Sequence, residues 1–281
     1  MKILAIGDFH GKFPEKLKKL IEKEKFELIV SIGDYFPFTL KKVFFKCCYK
    51  SKTELWDVVG KKEYKKINEK DLAKGEKVLK QLNKLKTKVI TTIGNYDKTN
   101  IADTYKDSKS DWEYGNRDFF SPIINKYKNI KRFDYKFIKY KNLIFIGGYG
   151  NSFPGRVKSK NYKKYKKKLE KLFNRFKKEN KEKKVIFVFH NIPYNCKLDV
   201  IRDKTAPEIA FGKHYGSKLI RRIIDKYHPI LGIGGHMHEN QGKCNIGKTL
   251  IINPGAAQDG KAAIILFDEK KKKVDKIKFI L

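Results

Sequence analysis

Two of the chain's six histidines stand one residue apart in the stretch Gly234-Gly235-His236-Met237-His238-Glu239, directly after an apolar run at 230–233. Histidines at i and i+2 can direct two ring nitrogens toward one point or toward two adjacent points, and imidazole is the commonest metal ligand at neutral pH. A pair of this kind is also compatible with a structural role, so its meaning depends on what stands at the ends of the other strands. Asp8-Phe9-His10 forms a second pair, closing the apolar residues 2–6. Ile-Gly-Asp, Ile-Gly-Asp and Ile-Gly-Asn then begin at residues 6, 32 and 93, each at the end of a β-rich run. His190 follows the unbroken run at 185–189 in the same way.

One arrangement accounts for this recurrence. Parallel strands deliver their last residues to a common crevice, and a glycine lets the backbone turn sharply just before an oxygen ligand. The strands are expected at 2–6, 28–32, 89–93, 142–146, 185–189 and in the run up to His236. Helical spacing links Leu17, Leu20 and Ile21, and again Leu72, Val78, Leu79, Leu82 and Leu85. Across the lysine-rich stretch 158–184 it links Tyr162, Tyr165, Leu169, Leu172, Phe173 and Phe176, which predicts an amphipathic helix with a solvated cationic face. Ser217 is placed to cap a helix presenting Leu219, Ile220, Ile223, Ile224 and Tyr227. Residues 250–252, 262–267 and 274–281 follow as strands without intervening helices, which predicts an antiparallel portion in a mixed sheet or a second sheet. The chain reads as a single domain, 1–281, with long insertions at about 35–88 and 101–140. The first carries Tyr35, Phe36, Phe38 and Trp56, which suit either a wall over the crevice or plain packing. The second shows no resolvable periodicity.

Composition bounds the function. No apolar run approaches the roughly 18 residues of a membrane span. The first residues carry an apolar core too short for a signal peptide and read as a strand. Cys47, Cys48, Cys196 and Cys244 lack zinc-ribbon or disulfide-framework spacing, so the expected compartment is the reducing cytoplasm. The net charge of +35, from 66 basic and 31 acidic residues, favours phosphate-bearing partners and admits nucleic acid among them. Lysine dominates and arginine is scarce, as in a chain whose lysines are spread over solvated faces.

Asp8, His10, Asp34, Asn95, His190, His236 and His238 together offer more oxygen and nitrogen ligands than one ion needs. They suit two ions sharing a bridge, for which the Asp34 carboxylate is the natural group. Carboxylate and imidazole without thiolate favour Mn, Fe, Zn or Ni over Ca. In a two-metal centre of this kind a metal-bound hydroxide attacks phosphorus while the ions clamp the phosphoryl oxygens. No serine or cysteine has a convincing base partner, and no Walker A or dinucleotide glycine signature is present.

The ordered set Asp8-Phe9-His10, Gly33-Asp34, Gly94-Asn95-Tyr96-Asp97, His190 and Gly235-His236-Met237-His238 resembles the calcineurin-like metallophosphoesterase superfamily across residues 8–238. The run from Gly216-Ser217-Lys218-Leu219 through Ile246-Gly247-Lys248-Thr249 to Asn253-Pro254-Gly255 is similar to its Icc-like phosphoesterase branch. The resemblance implies a four-layered α/β/β/α sandwich with two central mixed sheets. It implies that Asp8, His10 and His238 hold one divalent ion, Mn first among the candidates, that Asn95, His190 and His236 hold the other, and that Asp34 bridges them. It places Asn95, Asp34, Tyr96 and Asp97 among the catalytic residues.

The chain departs from the pattern at Tyr96, where many members carry a histidine thought to assist the leaving oxygen. A neutral phenol is a much weaker acid than an imidazolium. Monoesters with poor leaving groups should suffer most, so the expected activity is on phosphodiesters, with a nucleotide among the candidate substrates. His214, in a loop with Arg202 and Lys204, is a candidate substitute acid, and His228 reads as structural. A nuclease and a non-catalytic metal-binding scaffold of the same fold are the alternatives. Oligomeric state has no signature in the chain.

Overall fold

The computed structural model describes residues 1–49, 51–99, 111–150, 157, 159–203, 208 and 210–281. Lys158, Lys204 and the first ten residues of the second long segment, 101–110, lie outside the described residues. The strands are β1 (Lys2–Ile6), β2 (Leu28–Ser31), β3 (Val89–Thr91), β4 (Ile130–Arg132), β5 (Phe137–Tyr140), β6 (Leu143–Gly147), β7 (Val185–Asn191), β8 (Leu231–Gly235), β9 (Gly242–Ile246), β10 (Thr249–Asn253), β11 (Ala262–Asp268) and β12 (Lys273–Ile280).

They form two six-stranded sheets, in the orders β12-β11-β1-β2-β3-β4 and β5-β6-β7-β8-β10-β9. The interior pairings β1 to β4 and β6, β7, β8, β10 are parallel, while β11, β12, β5 and β9 pair antiparallel. Both sheets are therefore mixed, and the helix-free C-terminal strands supply much of the antiparallel part.

The unbroken apolar runs follow from burial on both faces. Along β1, Ile3 and Ala5 enter a core that also takes Ile186 and Val188 of β7 and Ile233 of β8, so this core lies between the sheets. The alternate residues Leu4 and Ile6, with Val185, Phe187 and Phe189, belong to the helix-facing core. There they meet Leu17 and Ile21 of the helix Glu15–Glu24, Val78, Leu79 and Leu82 of Lys61–Asn83, and Ile220, Ile223 and Ile224 of Lys218–Tyr227. Each such fully buried aliphatic side chain contributes roughly 1.5–3 kcal/mol. The result is four layers, helices outside and two sheets within.

Two stretches differ from the sequence reading. The lysine-rich helix runs from Lys160 to Arg175, and a separate short helix occupies Lys177–Lys181. Phe176 leaves helical geometry, and its buried ring packs 4.7 Å from that of Phe137. Residues 130–140 supply an edge strand to each sheet, β4 to one and β5 to the other. These strands have three and four residues with a weak apolar pattern. A third, separate core joins the first long segment to the second, where Leu40, Cys48, Leu55, Tyr64 and Tyr114 pack with Phe38, Phe44, Trp56 and Trp112.

Candidate metal centre

The carboxyl ends of β1, β2, β3, β7 and β8 converge, and backbone hydrogen bonds fix how they meet. Asp8 N–H donates to the Gly33 carbonyl at 2.9 Å, and Phe9 and His10 N–H both donate to the Asp34 carbonyl at 2.8 and 3.0 Å. The glycines permit this proximity. A Cβ at Gly94 would lie 2.1 Å from Asp34 Oδ1, and one at Gly235 2.6 Å from Asp8 Oδ2. Asp8, His10, Asp34 and His236 adopt φ values of 54°, 44°, 56° and 70°. Side chains other than glycine enter that left-handed region at a cost of order 1–3 kcal/mol each, and such strain concentrates at functional sites.

Two groups of ligand atoms result, each spanning no more than 4.8 Å: Asp8, His10 and His238, and Asp34, His190 and His236. His10 Nε2 lies 3.1 Å from His238 Nε2, and His190 Nε2 lies 3.2 Å from His236 Nδ1. Nitrogens about 2.1 Å from one ion at tetrahedral or octahedral angles are roughly 3.0–3.4 Å apart, so both pairs have the spacing of shared coordination. Asn95 Oδ1 is 2.7 Å from His190 Nε2 and joins the second group. Asp34 Oδ2 stands between the groups, 3.4 Å from His190 Nε2 and 4.0 Å from His10 Nε2. Its other oxygen accepts from Tyr96 N–H at 2.7 Å. His190 Nδ1 faces the Ile32 carbonyl at 2.9 Å, which fixes the ring and leaves Nε2 as the ligand atom.

The donor set fits divalent cations. Asp8 Oδ1 is buried without a hydrogen-bond partner, while Oδ2 accepts from His236 N–H at 3.0 Å. A buried carboxylate oxygen left in this state needs a cation. Burial and the neighbouring His238 bring His10 down to about 3, and burial with His190 holds His236 well below the ordinary imidazole range. Burial also lowers His190. Shifts in this direction favour the neutral imidazole, the form that binds metal. Burial, reinforced by Asp97 and Asp8, raises Asp34 well above the carboxylate range. Burial raises Asp8 as well, but His238, His190 and His10 outweigh it and leave Asp8 lowered. His238 is raised because Asp8 overrides the opposing effect of burial.

Asp97 sits behind this arrangement. Its Oδ2 accepts from the backbone N–H of Asp34 and Gly94, and its Oδ1 from that of Tyr35, all at 2.8 Å. It thereby ties the loop of Asp34 to the loop of Asn95, and burial pushes its carboxyl up to about 7 against those three bonds. The Tyr96 ring packs between His10 and Phe38, with centroids at 5.2 and 5.1 Å. Burial, with Asp34 and Asp8 adding to it, raises its phenol above the ordinary tyrosine value. His214 pairs through Nδ1 with buried Asp199 at 2.5 Å, and Asp199 also accepts from the N–H of Asn195, Cys196 and Gly216. His228 caps the helix Lys218–Tyr227 in a left-handed conformation. Two supports had no signal among the ligand types: the Ile32 carbonyl, and the Asn253 side chain, which donates to the Met237 carbonyl between the paired histidines at 2.7 Å.

Residues 1–278 match the metallophosphoesterase, calcineurin superfamily. An uncharacterized protein of Methanocaldococcus jannaschii, MJ1162, is 24% identical over 280 residues, covering 98% of this chain and 94% of its own. One solved structure superposes with a TM-score of 0.66 at 20% identity, covering 99% of this chain and 98% of that one. A dimetal phosphatase from Danio rerio superposes with a TM-score of 0.53 at 11% identity, covering 96% and 93%. These likenesses show a shared fold. By the match along nearly its whole length, the chain belongs to the metallophosphoesterase, calcineurin superfamily.

Proposed function

As a member of the metallophosphoesterase, calcineurin superfamily, this protein is, we propose, a binuclear phosphodiesterase that uses Mn²⁺ in a cytoplasmic setting, with 1–281 working as one domain. Two divalent ions at the centre would supply Lewis-acid charge and activate water for attack on phosphorus. Asp8, His10 and His238 would hold one ion, Asn95, His190 and His236 the other, and Asp34 both. The chain's own contribution is positional. Asp97 holds the Asp34 and Asn95 loops in register through three backbone N–H groups, and the Ile32 carbonyl orients His190. Among the described residues no helix is long and apolar enough to cross a membrane.

The diester preference rests on one observation, the neutral phenol of Tyr96 beside His10 where the superfamily pattern carries an imidazole. A phenol is a poor proton donor to a leaving alkoxide near neutral pH. Turnover of diphenyl phosphate is expected to exceed that of phenyl phosphate, which has the same poor leaving group, when both are assayed with Mn²⁺. A preference for the monoester contradicts the reading.

A further inference from the structure

The ring of Tyr96 begins a ladder of aromatic side chains that leads from the metal centre to solvent. His10 contacts Tyr96 at 5.2 Å, Tyr96 contacts Phe38 at 5.1 Å, Phe38 contacts Phe44 at 5.8 Å and Phe44 contacts Phe45 at 5.5 Å. Tyr96, Phe38 and Phe44 are half-buried, and Phe45 is 41% exposed. The last two rings start a π-helical turn, Phe44–Cys48, closed by Tyr49 N–H donating to the Phe44 carbonyl at 2.8 Å. Such turns are rare and occur frequently at functional sites.

Cations border the ladder. Lys98 Nζ lies 5.3 Å from the Phe38 ring centroid and 6.0 Å from that of Tyr64. Lys41, one turn before Phe44, is exposed. Neither lysine has an ion-pair partner among the described residues. Rings beside unpaired cations are the combination by which proteins hold a base together with its phosphate, because every base has a π-face to stack and every phosphate a charge to match.

We propose that Tyr96 and Phe38, with the Lys98 ammonium over one face of the Phe38 ring, form a subsite for the nucleobase of a nucleoside phosphoester whose phosphate lies at the metal centre. This rests on the phosphoesterase reading above and adds the part of the substrate that the metals do not touch. The first insertion thus acts as the specificity wall of the crevice. Phe38 is the residue that discriminates, since Tyr96 also packs against a ligand.

Adenosine 5′-monophosphate and ribose 5-phosphate differ only in the base, and titration calorimetry with the Mn²⁺-loaded protein compares them directly. The nucleotide is expected to bind about tenfold tighter or more, the effect of one stacked base. Phe38→Ala should remove most of that difference and leave ribose 5-phosphate within about twofold of wild type. Phe38→Leu, which keeps an apolar side chain without a π-face, should do the same with the fold retained by circular dichroism. Equal binding of the two ligands by wild type, no detectable binding of the nucleotide, or a nucleotide preference retained in Phe38→Leu overturns the subsite. A retained preference in wild type, lost in Phe38→Leu, with no turnover of any phosphoester supports the subsite and overturns the phosphoesterase reading alone.

Discussion

The metal centre and the aromatic satellite beside it are built on opposite principles. At the centre, buried polar groups converge from five strand ends, and four candidate ligand residues hold strained left-handed conformations. Position is everything there, because a set of candidate ligand atoms serves an ion only at coordination distance, and Asp8 Oδ1 is buried with no hydrogen-bond partner to replace it. In the satellite, Trp56, Tyr64 and Trp112 meet with centroids 5.3 to 5.8 Å apart, and lysines lie over several of the rings. Ring packing tolerates small shifts that a ligand set does not. One region is therefore suited to fixed chemistry, the other to a variable partner.

That contrast can be broken by substitution, beginning where the effect is largest. Gly94→Ala places a Cβ against Asp34 Oδ1, 2.1 Å away in the present backbone. Moving a reacting group by about 1 Å can cost on the order of a hundredfold, so kcat/KM on a diester should fall by about that factor. Near-normal activity would show that the centre tolerates displacement after all. Asp97→Asn turns an amide toward backbone N–H donors and should lower Mn²⁺ affinity by about tenfold to a hundredfold, the usual effect of losing an outer support of a metal site. Chemical denaturation should register about 1–3 kcal/mol of lost stability as well. On the helix Leu55–Val59 that packs into the satellite, Val58 is 42% exposed. Val58→Ser should leave stability within about 0.5 kcal/mol and diester turnover unchanged. A cost of several kcal/mol there would mean that the satellite is as tightly specified as the centre.

The two regions also differ in how much of them the sequence shows. The strand ends are legible because four of the candidate ligands, Asp8, Asp34, Asn95 and His236, follow a glycine at the end of an apolar run, so local pattern and chemistry coincide there. The two-sheet sandwich is legible for the same reason, since β1, β7 and β8 are buried on both faces and read as continuous apolar runs. The proposed division of the candidate ligands between two ions rests on the resemblance, because distances between strand ends are set by sheet order. The supports were hidden for physical reasons. Every residue has a carbonyl like that of Ile32, and the part played by Asp97 depends on two loops meeting. The strands β4 and β5 are too short for a period of two to emerge. The satellite mixes rings from residues 38–64 with Trp112 and Tyr114, and no local periodicity encodes contacts made across that separation.

The central claim is that one carboxylate, Asp34, joins two groups of ligands into a two-ion centre. Metal analysis of the Mn²⁺-equilibrated, gel-filtered protein tests it most directly. The wild type should carry two ions per chain and Asp34→Asn no more than one, with the fold retained by circular dichroism. A wild type that holds one ion or none, or an Asp34→Asn variant that keeps both, would contradict it.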